Sequence, residues 1–133
     1  MATEQQAPEP RLIEAQPQLY VTDFEAALAF YGSTLGFELA FVYGDPPFYG
    51  QVRRGGAGLN LRLAPHPAFA AEFVAREIDP VCATLATENI ARLHEEYRLA
   101  GADIHQALRR EPWGAQTFIV RDPAGNLILF AGD

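Results

Sequence analysis

The sequence is written nearly twice. Residues n and n+65 match in type at Thr22 and Thr87, Asp23 and Glu88, Ala26 and Ala91, Leu28 and Leu93, Gly36 and Gly101, Glu38 and Asp103, and Leu39 and Ile104. The offset is close to half of the 133 residues, so two copies of one supersecondary unit are expected. The matches have local reasons. Thr or Asp ahead of a helix accepts orphan amide hydrogens, and a glycine behind it lets the backbone turn left-handed. The length is that of one ordinary domain. Residues 1–10, with Glu4, Gln5, Gln6, Pro8 and Pro10, read as a flexible tail, and 11–133 as a single domain with repeats over about 15–65 and 80–132.

In the first copy, Gln18 to Val21 reads as a strand entering a helix, with Thr22 and Glu25 spaced as a capping box. Phe24, Ala27, Leu28, Tyr31 and Leu35 give one apolar stripe, closed by Gly36. Strands are expected at Phe37 to Val42, Tyr49 to Arg53 and Leu59 to Leu63, separated by the turns Gly44 to Pro47 and Gly55-Gly56. Alternation in the last of these directs its leucines to the core. The second copy repeats the order: strand Val81 to Ala86, a helix with Ile90, Leu93 and Tyr97 on one face, then strands Ile104 to Leu108, Gln116 to Arg121 and Leu127 to Phe130. Asp122 to Asn126 supplies the last tight turn. Between the copies, Phe69, Phe73 and Val74 suggest a short amphipathic helix within His66 to Asp79, either core cover or a lid over a site. The whole is an α+β fold of two βαβββ units.

Several functions are disfavoured by composition. A formal charge of −7 opposes phosphate backbones and weakly favours cationic partners. All ten basic residues are arginine, so Schiff-base and P-loop chemistry are excluded. The one serine, Ser33, lies in a predicted helix without a nucleophile elbow. No apolar run reaches the roughly 18 residues of a membrane span, and the N-terminus lacks the pattern of a secretory signal. A lone Cys82 forbids an internal disulfide and reads as a small buried residue. A cytoplasmic protein is expected, without nucleic-acid or membrane partners.

Two motif groups carry a family resemblance. Val21-Thr22-Asp23, then Phe30-Tyr31, then Leu35-Gly36-Phe37 resembles the opening of the glyoxalase, bleomycin-resistance and extradiol dioxygenase (vicinal oxygen chelate) superfamily. Glu111-Pro112-Trp113-Gly114 followed by Arg121-Asp122-Pro123-Ala124-Gly125-Asn126 resembles the C-terminal half of its bleomycin-resistance branch. The resemblance spans roughly residues 15–132 and implies mixed sheets curled around a cleft.

In that superfamily the metalloenzymes place ligands on the first and last strands of each half. The resemblance puts Gln16 or Gln18, Val81, Asn60 or Leu61, and Leu129 at those positions. Val and Leu have no lone pair, so no metal or other cofactor is expected. His66, His94 and His105 show no ligand spacing and read as solvated or core-satisfied imidazoles. Bleomycin-resistance proteins are non-catalytic and hold a cationic glycopeptide at the interface of a strand-exchanged dimer. The resemblance therefore implies no catalytic residue, a homodimer with Pro17 at the exchange hinge, and a ligand groove lined by Phe41, Tyr49, Asn60, Arg62, Trp113 and Gly114.

Trp113 also reads as plain core or hairpin packing, and Pro17 as a strand-edge proline. Cys82 and Ala83 stand where the resistance proteins carry tryptophans, and Arg62 is a cation facing a cationic drug. The leading expectation is metal-independent binding of an antibiotic or another hydrophobic or cationic small molecule in a dimer groove. A glyoxalase-like lyase or dioxygenase with a divergent metal site, using Gln16 or Gln18, Asn60 and a histidine, is the alternative. An inert or regulatory member whose cleft is filled is the third.

Overall fold

The structure, a computed structural model, describes residues 7–133. Each half runs strand, helix, then three strands. The first contains β1 (Gln18–Val21), α1 (Phe24–Ala29), β2 (Glu38–Gly44), β3 (Pro47–Arg54) and β4 (Ala57–Leu63). A connector carrying α2 (Ala71–Arg76) leads to β5 (Val81–Thr87), α3 (Ile90–Leu99), β6 (Ile104–Arg110), β7 (Gln116–Arg121) and β8 (Leu127–Gly132). The strands form two four-stranded mixed sheets in the orders β1-β4-β3-β2 and β5-β8-β7-β6. In each, the first strand lies parallel to the fourth and the other pairs are antiparallel. This is the α+β plan of two βαβββ units read from the repeat.

Local details depart from the sequence reading. Asp23, not Thr22, caps α1: its side chain accepts the amide hydrogen of Ala26 at 3.0 Å. Both residues suit the role, and the strand simply runs to Val21 before the chain turns. Past Ala29 the helix widens into a π-turn over Phe30–Thr34, where the amide of Leu35 donates to the carbonyl of Phe30. Of the expected tail, residues 1–6 lie outside the described part. Residues 7–10 are exposed and without regular structure.

One face of each sheet carries its helix. α1 packs on β3 and β4, and α3 on β6, β7 and β8. Between them lies one core cluster drawn from both halves, including Leu19, Val52, Leu59 and Leu61 from the first and Phe118, Val120, Ile128 and Phe130 from the second. Leu63, the last residue of β4, is an exception to the expected alternation and is 40% exposed. The connector helix is also not core cover, since none of its residues is buried.

The halves are joined by a pair of matched tyrosines. Tyr31 donates from the end of helix one to Asp122 Oδ2 in the second half at 2.7 Å. Sixty-six residues later, Tyr97 on α3 donates to the carbonyl of Leu35 in the first half at 2.8 Å. Both are fully buried. Burial pushes the Tyr97 phenol up to about 12. Burial first, then the Asp122 carboxylate, raises Tyr31 well above its ordinary value. Each phenol therefore stays neutral and donates its proton. Among the described residues no helix is long and apolar enough to cross a membrane.

Candidate functional site

The face of the first sheet opposite α1 carries the site. Its strands are in register, so side chains fall into rows roughly 4.8 Å apart from strand to strand. One row reads Tyr20, Arg62, Tyr49, Tyr43 across β1, β4, β3 and β2. The next reads Gln18, Asn60, Gln51, Phe41. A phenol-and-guanidinium row thus adjoins a row of amides.

The amide row is internally bonded. Gln51 Nε2 donates to Asn60 Oδ1 at 2.9 Å, and Arg53 Nη1 donates to Gln51 Oε1 at 3.2 Å. Gln18 Nε2 donates to the hydroxyl oxygen of Tyr20 at 3.1 Å. The aromatic side is open: Tyr43, Phe41 and Tyr20 are 66%, 43% and 39% exposed. Phe41 and Tyr49 lie with ring centroids 5.8 Å apart, and Tyr43 meets Phe48 edge-on at 5.6 Å. Phe48 in turn lies beneath Arg62, whose guanidinium carbon is 5.7 Å from its ring centroid. Gly44, at φ +103°, makes this possible, because a Cβ there would stand 2.4 Å from the Phe48 ring.

At the far end, Glu14 from the arm before β1 pairs with Arg53. The hydrogen bond from Arg53, then that from Gln16, holds the Glu14 carboxyl well below 4.5, to about 2. A carboxylate lowered in the folded state contributes above its unfolded value and loses that contribution as pH falls through the folded one. The arm is therefore expected to stay docked at neutral pH and to release only between about 4.5 and 2. An NMR titration of the Glu14 carboxyl checks this, and a midpoint near 4.5 would show that the clamp does not form in solution.

The second sheet answers the same positions with a mixture of aliphatic and polar residues and no aromatic ones. Its rows are Ala86, Ala131, Thr117, Arg109 and Thr84, Leu129, Ile119, Gln106. The register makes Thr84, not Val81, the counterpart of Gln18, since Gln18 pairs with Asn60 as Thr84 pairs with Leu129. The implied metal positions are therefore two amides, a hydroxyl and an alkyl group. That set does not fit a divalent metal, which needs carboxylates or imidazoles.

The histidines are engaged elsewhere. His94 accepts weakly from the amide of Leu108 at 3.4 Å and packs edge-on against Phe118. Arg121 can only donate, so its 2.7 Å bond to His105 Nδ1 leaves the ring proton on Nε2, which donates to Asp79 at 2.6 Å. His66 lines a cavity of about 790 Å³ between the connector and the β7–β8 hairpin, with Phe69, Val74, Ile78 and Leu127. The connector thus roofs a cavity at the second half.

Of the six residues expected to bind ligand, Phe41, Tyr49, Asn60 and Arg62 share the open face of sheet one. Trp113 and Gly114 stand apart, in the β6–β7 turn of the other sheet. Trp113 is 75% exposed, which rules out core packing. The turn is braced by Glu111, which accepts from Arg109 at 2.6 Å and Thr117 at 2.8 Å, and by Gly114 at φ +105°. Pro17 is half-buried, and its carbonyl accepts the amide of Asn60 within the same chain. Cys82 is half-buried and its thiol is raised, chiefly by burial. Sequence reasoning missed Tyr20, Tyr43, Phe48 and Gln51. The alternations Gln18-x-Tyr20 and Tyr49-x-Gln51-x-Arg53 were the available signal.

Comparison with known proteins agrees with this architecture. The sequence model of the Glyoxalase/Bleomycin resistance protein/Dioxygenase superfamily matches residues 14–130. The bleomycin-binding protein of bleomycin-producing Streptomyces verticillus, solved with copper(II)-bleomycin, is 30% identical, with 93% of this chain and 98% of that one covered and a TM-score of 0.72. A bleomycin resistance determinant encoded on the transposon Tn5 is 22% identical, with coverage of 90% and 97% and a TM-score of 0.71. A superfamily protein from Alicyclobacillus acidocaldarius is 20% identical, with coverage of 96% and 94% and a TM-score of 0.72. The last two likenesses show the fold alone. No curated protein sequence matches the chain. On the match over residues 14–130 and the paired βαβββ sheets, the chain belongs to the Glyoxalase/Bleomycin resistance protein/Dioxygenase superfamily.

Proposed function

We propose that this protein is a metal-independent, non-catalytic binding protein that sequesters a planar aromatic small molecule, an antibiotic in its sharpest form. The observation that carries the reading is the open aromatic-and-amide face of sheet one, where Tyr20, Phe41, Tyr43 and Phe48 are each more than a third exposed. Exposed aromatic rings gathered on one sheet face, rimmed by polar groups, mark a binding surface more often than rings scattered singly. Aromatic faces suit flat rings, and the adjoining amides suit their polar edges. The copper(II)-bleomycin complex of the Streptomyces verticillus relative supports an antibiotic as the ligand class.

The groove is completed by a second copy. A twofold dimer that sets sheet one of one copy against sheet two of the other makes two equal grooves. It also brings Trp113 and Gly114 to the aromatic rows, from which they are separate within one chain. Pro17, by stiffening the segment before β1, serves as the hinge if first strands exchange. The protein works in the cytoplasm on this reading.

Sedimentation equilibrium and Trp113 fluorescence test it together. A dimer is expected, with 2-naphthamide, a neutral planar probe, changing the fluorescence at micromolar concentration. A monomer at that concentration, or no response to the probe, would overturn the reading. Copper(II)-bleomycin is expected to bind more weakly than its own binding protein binds it, because Arg62 repels its cationic part.

A further inference from the structure

We infer that the groove selects an aromatic ligand bearing an anionic substituent, and that Arg62 is the residue that selects it. This rests on the binding reading above and names the ligand's charge. The whole chain carries −7, which by itself points to cations. The site has a different local balance. Arg62 sits in the middle of its row, with Tyr20 across one strand boundary and Tyr49 across the other. Arg53, at the far end of the same face, is neutralised by Glu14. Among the described residues the Arg62 side chain has no carboxylate partner and no hydrogen bond, and its guanidinium carbon lies 5.7 Å from the centroid of the Phe48 ring.

The hydroxyls beside it add donors. The oxygen of Tyr20 already accepts from Gln18, so its own O–H is left to donate outward. Tyr49 presents a second phenol on the other side. A carboxylate seated on this row meets a planar fork of guanidinium N–H groups, with a tyrosine on each adjoining strand, donors of the kind that recognise oxyanions. The ring that bears it lies along Phe41, Tyr43 and Tyr49, and its polar edge reaches the amides of Gln18 and Asn60. A cation on the same row would find no acid. The carboxylates of this face lie at the other end, where Glu14 is paired with Arg53 and Glu38 lies across from Arg53, while Asp45 is in the β2–β3 turn. The matched row of sheet two has Ala131 in place of Arg62 and Ala86 in place of Tyr20, so only one of the two duplicated sheets carries the anion row.

Three probes of one shape test this: 2-naphthoate, 2-naphthamide and 2-naphthylmethylammonium, titrated against the whole protein by fluorescence. Naphthoate is expected to bind about tenfold tighter than the amide, and the ammonium weaker than both. Arg62→Gln should bring naphthoate to within about twofold of the amide measured on the same variant, and Arg62→Glu should reverse the order of the charged probes. Arg62 is exposed, so both variants should keep the native circular dichroism. Naphthamide binding with no gain for naphthoate, or a preference that survives Arg62→Gln, would overturn the inference and leave the groove standing. Failure of all three probes would overturn the groove itself.

Discussion

Asp122→Ala is expected to lower the free energy of unfolding by about 4 kcal/mol, measured by urea denaturation at neutral pH. Asp122 is 3% exposed and accepts four hydrogen bonds. They come from the Tyr31 hydroxyl at 2.7 Å and from the Ala124 amide, the Asn126 amide and Asn126 Nδ2, each at 2.9 Å. Removing the carboxylate strands these donors in a closed interior, where each buried orphan costs roughly 1–3 kcal/mol. Local relaxation of the turn recovers part of the sum. Tyr31→Phe removes one of the four bonds and leaves the carboxylate with three donors, so a loss of about 1 kcal/mol is expected. A loss below 1 kcal/mol for Asp122→Ala would mean that the turn opens to water and that this joint between the halves is not closed.

The matched substitution on the other side of the repeat, Tyr97→Ala, is expected to cost about 4 kcal/mol, within the range for deleting a buried aromatic ring. Tyr97 is fully buried. Its ring meets Phe118 at 6.0 Å and Phe130 at 5.5 Å, and Arg54 lies 5.8 Å from its centroid. Tyr97→Phe keeps this packing and loses the bond to the Leu35 carbonyl, which Arg54 Nη1 also serves at 2.8 Å. It should cost about 1 kcal/mol. Equal losses for the two variants would show that the hydroxyl, not the ring, joins the halves. An unchanged denaturant slope would show that unfolding still takes both halves together.

Most of the architecture was legible because its signals are local. Of the helix stripe, Phe24, Ala27, Tyr31 and Leu35 are buried as the spacing implies, while Leu28 is half-buried. The glycines that close both helices, Gly36 and Gly101, have the same positive φ of 77°. The turn Asp122 to Asn126 forms around an aspartate that accepts its own backbone amides. What failed locally failed by small displacements, as at Asp23 against Thr22, where two residues of equal capping ability compete and only the strand length chooses between them.

The candidate site was legible in part. Phe41, Tyr49, Asn60 and Arg62 were expected as a groove by resemblance and do share a face. Tyr20 was passed over, because its place beside Arg62 depends on a parallel pairing between β1 and β4 that joins residues 42 positions apart in the chain. The counterpart of Gln18 likewise depends on strand pairing, since Thr84 lies opposite Leu129 as Gln18 lies opposite Asn60, whereas Val81 lies opposite Leu127.

The sequence alone determined that the chain is a duplicated βαβββ fold, because side-chain periodicity, caps and turn residues act within a few positions of one another. It also determined that Leu129 can lend no electron pair to a metal. Only the tertiary structure decided which side chains stand together on the open face. Sheet register sets that through hydrogen bonds between distant strands, and a slip of one residue sends every side chain to the other side. For the same reason, a chain of net charge −7 places an unpaired arginine between two tyrosines: charge counts sum over the whole chain, while a ligand meets one row.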